Sequence, residues 1–335
     1  MKSWLKNYNF YLILPLLFCI SNGILHSQKI KVLSTASMWH DMCKVISGDL
    51  VDCDFIVPIG SDPHLYEPTP ADLIKVNQAN AILINGLTFE GWLTKLIENS
   101  GTKAKQIFIT KGIKPIESSV YHNATDPHAW MDVENAIIYA ENIYLTLTDL
   151  DPRHKDEYHF NFQLYKKELQ DLNQHIINTV LTIPESKRVL ITSHDGFRYF
   201  GNKYGIQLEP LQGTSTEADV QSTTLLKVNQ VIKEKQIPAI FVESTINPKL
   251  IEQIQKENNI IIGGKLYADS LGDSTTLAST YIGMMRHDID VIGSALRKSY
   301  NDIAQHSAVK NTSIYYWIIG FYLISFLLLY YINRK

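Results

Sequence analysis

The sequence predicts an α/β protein of two similar lobes, each a mostly parallel four-stranded sheet flanked by helices, joined by one long rigid helix. Three observations carry this expectation. Short apolar, β-branched runs alternate with helical patterns; the alternation occurs twice, with four strand-like runs in each half; and between the halves, Lys155 to about Leu181 contains no Gly or Pro. Strand–helix alternation is the pattern of α/β units on a parallel sheet. Two sets of four strands argue for two lobes rather than one sheet. The 335 residues suffice for one large or two medium domains, since folded units cluster near ~100–200 residues.

Composition narrows the function classes. The chain is 45% hydrophobic and 19% charged, enough apolar content for a real core. Its net charge of −3, from 31 Lys+Arg and 34 Asp+Glu, excludes the strongly basic body that grips nucleic acid through phosphates. Three cysteines, Cys19, Cys43 and Cys53, are too few for a disulfide scaffold.

Taken in order, residues 1–27 have the layout of a secretory signal: Lys2 and Lys6, the apolar run Phe10–Ile20, then Ser21, Asn22 and Gly23. Cleavage after Gly23 and cleavage after Ser27 fit equally. Leu16 stands three residues before Cys19, as in lipoprotein signals, but Phe18 is bulkier than the small residue usual at that place. The N-terminal lobe is expected over 28–152, with strands at Ile30–Ser34, Phe55–Pro58, Ala81–Asn85 and Gln106–Ile109. Helices are expected at Met38–Ser47, Ala71–Gln78 and Gly91–Ser100. The connecting helix lies within 153–184, bounded by Pro152 and Pro184. Tyr158, Phe162, Tyr165, Leu169, Leu172, Ile176 and Val180 form one apolar stripe along it. Its 27 residues span about 40 Å, the length of both lobes. A coiled-coil seam lacks the sustained repeat it needs, so the chain reads as a monomer.

The C-terminal lobe is expected over 185–305, with strands Arg188–Thr192, Gln207–Leu211, Ala239–Val242 and Ile260–Gly263. Its helices are placed at Gly196–Tyr204, Ala218–Lys235, Pro248–Glu257 and Thr276–Leu296. Residues 314–332 carry no charge, are flanked by tyrosines and Trp317, and precede Arg334 and Lys335. They are long enough for a transmembrane anchor, with the positive tail in the cytoplasm. The body is therefore placed outside the cytoplasm, in a periplasm or at a cell surface. That compartment permits a Cys43–Cys53 disulfide; two buried thiols are the alternative.

Two copies of one tripeptide carry the chemistry: Asp62-Pro63-His64 and Asp126-Pro127-His128. Proline fixes its own φ and restricts the residue before it, so each imidazole is presented from a stiff loop. The aspartate can bond the loop backbone or the other ring nitrogen. Ser193-His194-Asp195 directly follows a strand of the second lobe, and Tyr267-Ala268-Asp269-Ser270 comes soon after another. Ligands of open α/β sheets bind beyond the carboxyl ends of strands. His64, His128, His194 and Asp269 thus make a candidate metal set of three imidazoles and one carboxylate, suited to Zn²⁺ or Mn²⁺.

These residues lie in a longer series of segments. They are Val57-Pro58 through Asp62-Pro63-His64-Leu65-Tyr66-Glu67-Pro68-Thr69-Pro70, Asn85-Gly86-Leu87, Asp126-Pro127-His128-Ala129-Trp130-Met131-Asp132, Ser193-His194-Asp195-Gly196-Phe197-Arg198-Tyr199-Phe200, Gly213-Thr214-Ser215-Thr216-Glu217-Ala218, Phe241-Val242-Glu243-Ser244 and Tyr267-Ala268-Asp269-Ser270. From about Ile30 to Leu296 the chain thereby resembles the metal-binding subunits of bacterial manganese/zinc ABC importers, solute-binding protein family 9. The resemblance implies two lobes on a rigid helix, a metal bound between them by His64, His128, His194 and Asp269, and an ABC permease as partner. His194 stands where the family carries His or Glu, which suits zinc. The His- and Asp-rich loop of dedicated zinc carriers is missing, with only His122 between His64 and His128. Zinc and manganese stay balanced, with ferrous iron behind both. A C-terminal membrane anchor departs from the family pattern.

Four protein donors leave no open position for activated water, which favours capture over hydrolysis. The rival readings are a secreted, membrane-anchored zinc hydrolase using Asp269 as base, and a surface adhesin. No His-Glu-x-x-His pair and no Gly-x-Ser-x-Gly elbow supports an enzyme. Asp195, Glu217 and Glu243 are candidates for orienting ligands, and Trp130 and Phe197 for packing around them. His40, His122, His154, His159, His175, His287 and His306 read as solvent-facing.

Overall fold

The structure is a computed structural model that describes residues 29–117, 125–217, 220–298, 317 and 320–325. The first lobe is built from β1 (Ile30–Ser34), α1 (Ser37–Ser47), β2 (Val51–Phe55), α2 (Pro70–Gln78), β3 (Ala81–Ile84), α3 (Leu93–Ser100) and β4 (Lys105–Phe108). Its sheet has the order β2-β1-β3-β4, all parallel. The central strand β3 is buried along its whole length, as an apolar strand covered by helices on both faces must be.

The second strand is not where its apolar content placed it. β2 is Val51–Phe55, and Phe55–Pro58 only continues its hydrogen bonding, through Ile56 N–H to Ser34 C=O (3.0 Å) and Val57 N–H to Thr35 C=O (3.2 Å). As an edge strand, β2 needs to bury only some of its residues, and Asp52 and Asp54 break the apolar run. The run Ile56-Val57 instead packs as a buried exit from the sheet towards the first Asp-Pro-His loop.

Helix α4 (Val133–Leu150), absent from the predicted elements, follows that lobe's last excursion. Asp132 caps it by accepting the Glu134 N–H at 2.9 Å. α5 (Lys155–Leu181) then runs for 27 residues, and its buried residues are the seven of the predicted stripe. That stripe packs on α1 and α4 of the first lobe and on α6 and α9 of the second. Each such side chain contributes roughly 1.5–3 kcal/mol on burial, so the helix is held along its length rather than at one end.

The second lobe contains β5 (Val189–Leu190), α6 (Arg198–Tyr204), β6 (Gln207–Leu208), α7 (Ser222–Lys235), β7 (Ala239–Glu243), α8 (Lys249–Asn258), β8 (Ile261–Leu266) and α9 (Tyr281–Leu296). β5 pairs with β6 and β7 with β8, both in parallel, and the Phe241 N–H donates to Ile191 C=O at 3.1 Å to join the pairs. β5 and β6 are shorter than expected, although the backbone pairing continues past them through Glu209 N–H to Leu190 C=O (3.0 Å) and Leu211 N–H to Thr192 C=O (3.1 Å). α9 begins at Tyr281, where the Thr280 hydroxyl accepts the Gly283 N–H at 3.0 Å, rather than at Thr276.

One apolar core runs from α1 through α4 and α5 to α9, and a smaller one lies on the other face of the first sheet. The signal segment 1–27 lies outside the described residues, as does most of 314–332. Among the described residues no helix is long and apolar enough to cross a membrane. Trp317 and residues 320–325 are helical, and Trp317, Phe321, Tyr322, Leu323 and Ile324 are exposed.

Candidate metal centre

Both Asp-Pro-His tripeptides are held by the same device. In the first, Asp62 Oδ1 accepts the His64 N–H at 2.9 Å, and the Pro63 carbonyl accepts the Trp92 indole N–H at 2.9 Å. In the second, Asp126 Oδ1 accepts the His128 N–H at 2.9 Å, and the Pro127 carbonyl accepts the Asn85 amide at 2.9 Å. The two differ at the ring. Asp126 Oδ1 also lies 2.7 Å from His128 Nδ1, whereas Asp62 turns its second oxygen to the Thr216 hydroxyl of the other lobe, 2.5 Å away.

His194 follows β5, and its backbone N–H donates to Glu243 Oε1 at 2.9 Å from the end of β7. Glu243 Oε2 is 2.6 Å from His194 Nδ1, an ion-pair contact off the hydrogen-bond line. Asp269 lies just beyond β8. The Trp130 indole, donating to Ala268 C=O at 2.9 Å, fastens that loop to the first lobe.

The four predicted residues converge: one donor atom from each lies within 4.8 Å of every other. His128 Nε2 stands 3.3 Å from His64 Nε2 and 3.2 Å from His194 Nε2. Asp269 Oδ1 is 3.3 Å from His128 Nε2, and Oδ2 is 3.1 Å from His194 Nε2 and 3.7 Å from His64 Nε2. Donors at ~2.0–2.1 Å from a tetrahedral cation stand about 3.3–3.4 Å apart, so the spacing suits a coordination shell. His128, His194 and Asp269 are fully buried or nearly so, and neither Asp269 oxygen accepts a hydrogen bond among the described residues. A buried carboxylate without donors is costly; one aimed at three imidazole nitrogens fits a divalent cation.

Electrostatics sort the rings. Burial, opposed only partly by Asp269, pushes His64 down to about 3, so this ring is neutral. Burial also pulls on His128, but the charge and hydrogen bond of Asp126, with Asp269, outweigh it and raise that ring to about 9. His194 is raised well above its ordinary value because Glu243 and Asp269 outweigh burial. Asp269 is held well below the usual carboxylate range, because the neighbouring His194 and His128 outweigh its burial. Between two Nε2 atoms 3.2 Å apart there is space for one hydrogen, not two. A single divalent ion would take the place of the protons that these carboxylates attract.

Of the other candidates, Glu243 and Trp130 lie at the site, the latter with its ring 5.2 Å from His128. Asp195 instead bonds Arg198 Nε at 2.9 Å, Glu217 is exposed, and Phe197 packs on Phe200. His154 and His175 pair with Asp151 and Asp290, away from the cluster, and His122 and His306 lie outside the described residues. His40 is half-buried against Phe55 rather than solvent-facing.

Four residues at the site escaped sequence reasoning. Phe89 meets the His64 ring edge-on at 5.0 Å. Glu90 holds the loop carrying it by accepting the N–H groups of Asn85 (2.8 Å) and Gly86 (2.9 Å) and the Thr35 hydroxyl (2.6 Å). Trp92 fastens Pro63. Gly196 leaves space for His194, since a Cβ there would fall 2.6 Å from Cε1 and 2.8 Å from Nε2 of the ring. Gly196→Ala should therefore tilt the imidazole and weaken zinc binding about tenfold, the lower end of overpacking costs. Chelator-competition titration of the folded variant checks this.

The family model for the periplasmic zinc-uptake complex component A matches residues 32–295. The manganese-binding lipoprotein MntA of Halalkalibacterium halodurans is 34% identical over 270 residues, covering 80% of this chain and 89% of that protein. The manganese ABC transporter substrate-binding lipoprotein PsaA of Streptococcus pneumoniae is 34% identical over 280 residues, covering 81% and 90%. Among solved structures, the periplasmic zinc-binding protein TroA of Treponema pallidum superposes with a TM-score of 0.76 at 30% identity, covering 81% of this chain and all of that one. A manganese-bound periplasmic metal-binding protein of Candidatus Liberibacter asiaticus gives 0.73 at 32% identity, covering 80% and 100%.

Proposed function

The chain belongs to the zinc-uptake complex component A family of metal-binding subunits of ABC importers, and from that premise we propose how it works. It is an extracytoplasmic substrate-binding protein, a carrier and not an enzyme. It captures one zinc or manganese ion between its lobes and delivers it to an ABC permease. His64 and His128 from the first lobe and His194 and Asp269 from the second are the ligands. The observation that supports this most is the convergence of these four donors, distant in sequence, at the spacing of a coordination shell.

Capture and release follow from where the ligands sit. Each lobe supplies two, so the cage exists only while the lobes are apposed. Bonds between the lobes hold them together: Gly60 N–H to Ser270 Oγ (2.8 Å), Leu271 N–H to Ser37 Oγ (3.0 Å) and Tyr281 N–H to Asp41 Oδ2 (2.8 Å). The buried stripe of α5 resists wide hinge opening. Release on the permease therefore needs only small lobe movements that stretch these bonds and part the ligand pairs.

The lobes are assigned to 28–152 and 185–305, with 153–184 connecting them. Two of the relatives are named lipoproteins; here a membrane attachment is assigned to 314–332, with 1–27 directing export. The exposed apolar side chains of Trp317 and Phe321–Ile324 support this tether. Native mass spectrometry with elemental analysis, on the body released from membranes by protease, tests the reading. One tightly held zinc or manganese ion per chain is expected. A body that stays metal-free after equilibration with either ion overturns it.

A further inference from the structure

Away from the metal centre, Cys43 on α1 and Cys53 on β2 bring their sulfurs within 3.3 Å of each other, unbridged. That is inside the contact distance of two thiols and needs little movement to become a bond. Cys43 is fully buried, whereas Cys53 is only half-buried and lies on the edge strand of the first sheet. A reagent can reach Cys53 first, and Cys43 then resolves from inside. The thiols divide the same way: bonding between them pushes Cys43 up and pulls Cys53 down, with the Ser47 hydroxyl 3.4 Å away helping Cys53.

We propose that Cys43 and Cys53 are a redox modification site that closes to a disulfide through exchange with an external disulfide, a protein or a small molecule of the exported compartment. The Cys53 thiolate attacks one sulfur of that oxidant, forming a mixed disulfide and expelling one thiolate. Cys43 loses its proton and attacks Cys53 Sγ, forming the Cys43–Cys53 bond and expelling the second thiolate. Two protein thiols are oxidised, and the oxidant's disulfide is reduced to two thiols, which carry the released protons.

The bond staples α1 to the strand that leads into the His64 loop. α1 is also the helix whose Ser37 and Asp41 bond the second lobe and whose Trp39 packs on Trp130 at 5.7 Å. Closing the short loop between the cysteines removes freedom from the unfolded chain, so the oxidised form should melt higher than the reduced one.

The compartment, but not the chemistry, rests on the exported placement proposed above. The full chain, purified and reduced, is equilibrated with oxidised and reduced glutathione, then denatured, labelled with a maleimide and mapped by mass spectrometry. The expected result is loss of label at both Cys43 and Cys53, with the mass lower by two hydrogens. Cys43→Ser should instead trap a glutathione adduct at Cys53. Full labelling of both thiols, or a stable adduct at Cys53 of the parent chain, overturns the proposal. Labelling intact cells before lysis reads the compartment: thiols found open there overturn its use in the cell. Zinc and manganese content, measured on the same samples, reports separately on the carrier function.

Discussion

Asp269→Asn is expected to abolish tight metal binding while leaving the fold intact. Asp269 is the only anionic donor among the four, and it is fully buried with both oxygens facing the ring nitrogens. An amide keeps the shape and one weak oxygen donor but removes the charge that offsets a divalent ion in a dry cleft. Loss of an outer partner of a ligand typically costs 10–100-fold in affinity, so loss of the charged ligand should exceed about 100-fold. The ion-free protein should melt somewhat lower, because Asp269 is held below the usual carboxylate range by the neighbouring rings and removing one partner of a buried ion pair destabilises. Titration of zinc and manganese against a chelator reads the first effect, and thermal melting without metal reads the second. Parent-like affinity would remove Asp269 from the ligand set.

The parts legible in the sequence share a physical reason: a local rule determined them. The α5 stripe was readable because a helix buried along one side must repeat its apolar residues every three or four positions. The Asp-Pro-His loops were readable because proline stiffness and the aspartate bond act within three residues. What escaped was set across long separations. β2 was misplaced because an edge strand tolerates Asp52 and Asp54 where a central strand does not. Glu90 reaches the Thr35 hydroxyl across 55 positions and Trp92 the Pro63 carbonyl across 29, pairings that only the fold brings about. Gly196 carries no chemistry of its own; its role is the volume it leaves to His194. One long-range feature was readable, the convergence of His64, His128, His194 and Asp269, because imidazole and carboxylate are conspicuous chemistry at strand ends.

The two buried acids behind the rings should separate orientation from proton competition. Asp126→Asn and Glu243→Gln keep the oxygen that accepts a backbone N–H but remove the charge facing Nδ1. Each should weaken metal binding by about 10–100-fold, because the ring loses both basicity and a fixed orientation. The size of that loss should depend on pH. In the ion-free parent, Asp126 holds His128 protonated up to about 9, so an incoming ion must expel that proton. Parent affinity therefore climbs as pH rises towards 9 and falls as pH drops. Without the Asp126 charge only Asp269 opposes burial, so the ring is neutral at lower pH than in the parent and the variant has less proton to displace. Its affinity curve should be flatter, with the full loss seen near pH 9 and a smaller one at neutral pH. Calorimetry in two buffers of different ionisation heat would show fewer protons released per ion by the variant. A loss of equal size at every pH would mean that Asp126 only aims the ring, leaving the competition between proton and metal to Asp269 alone.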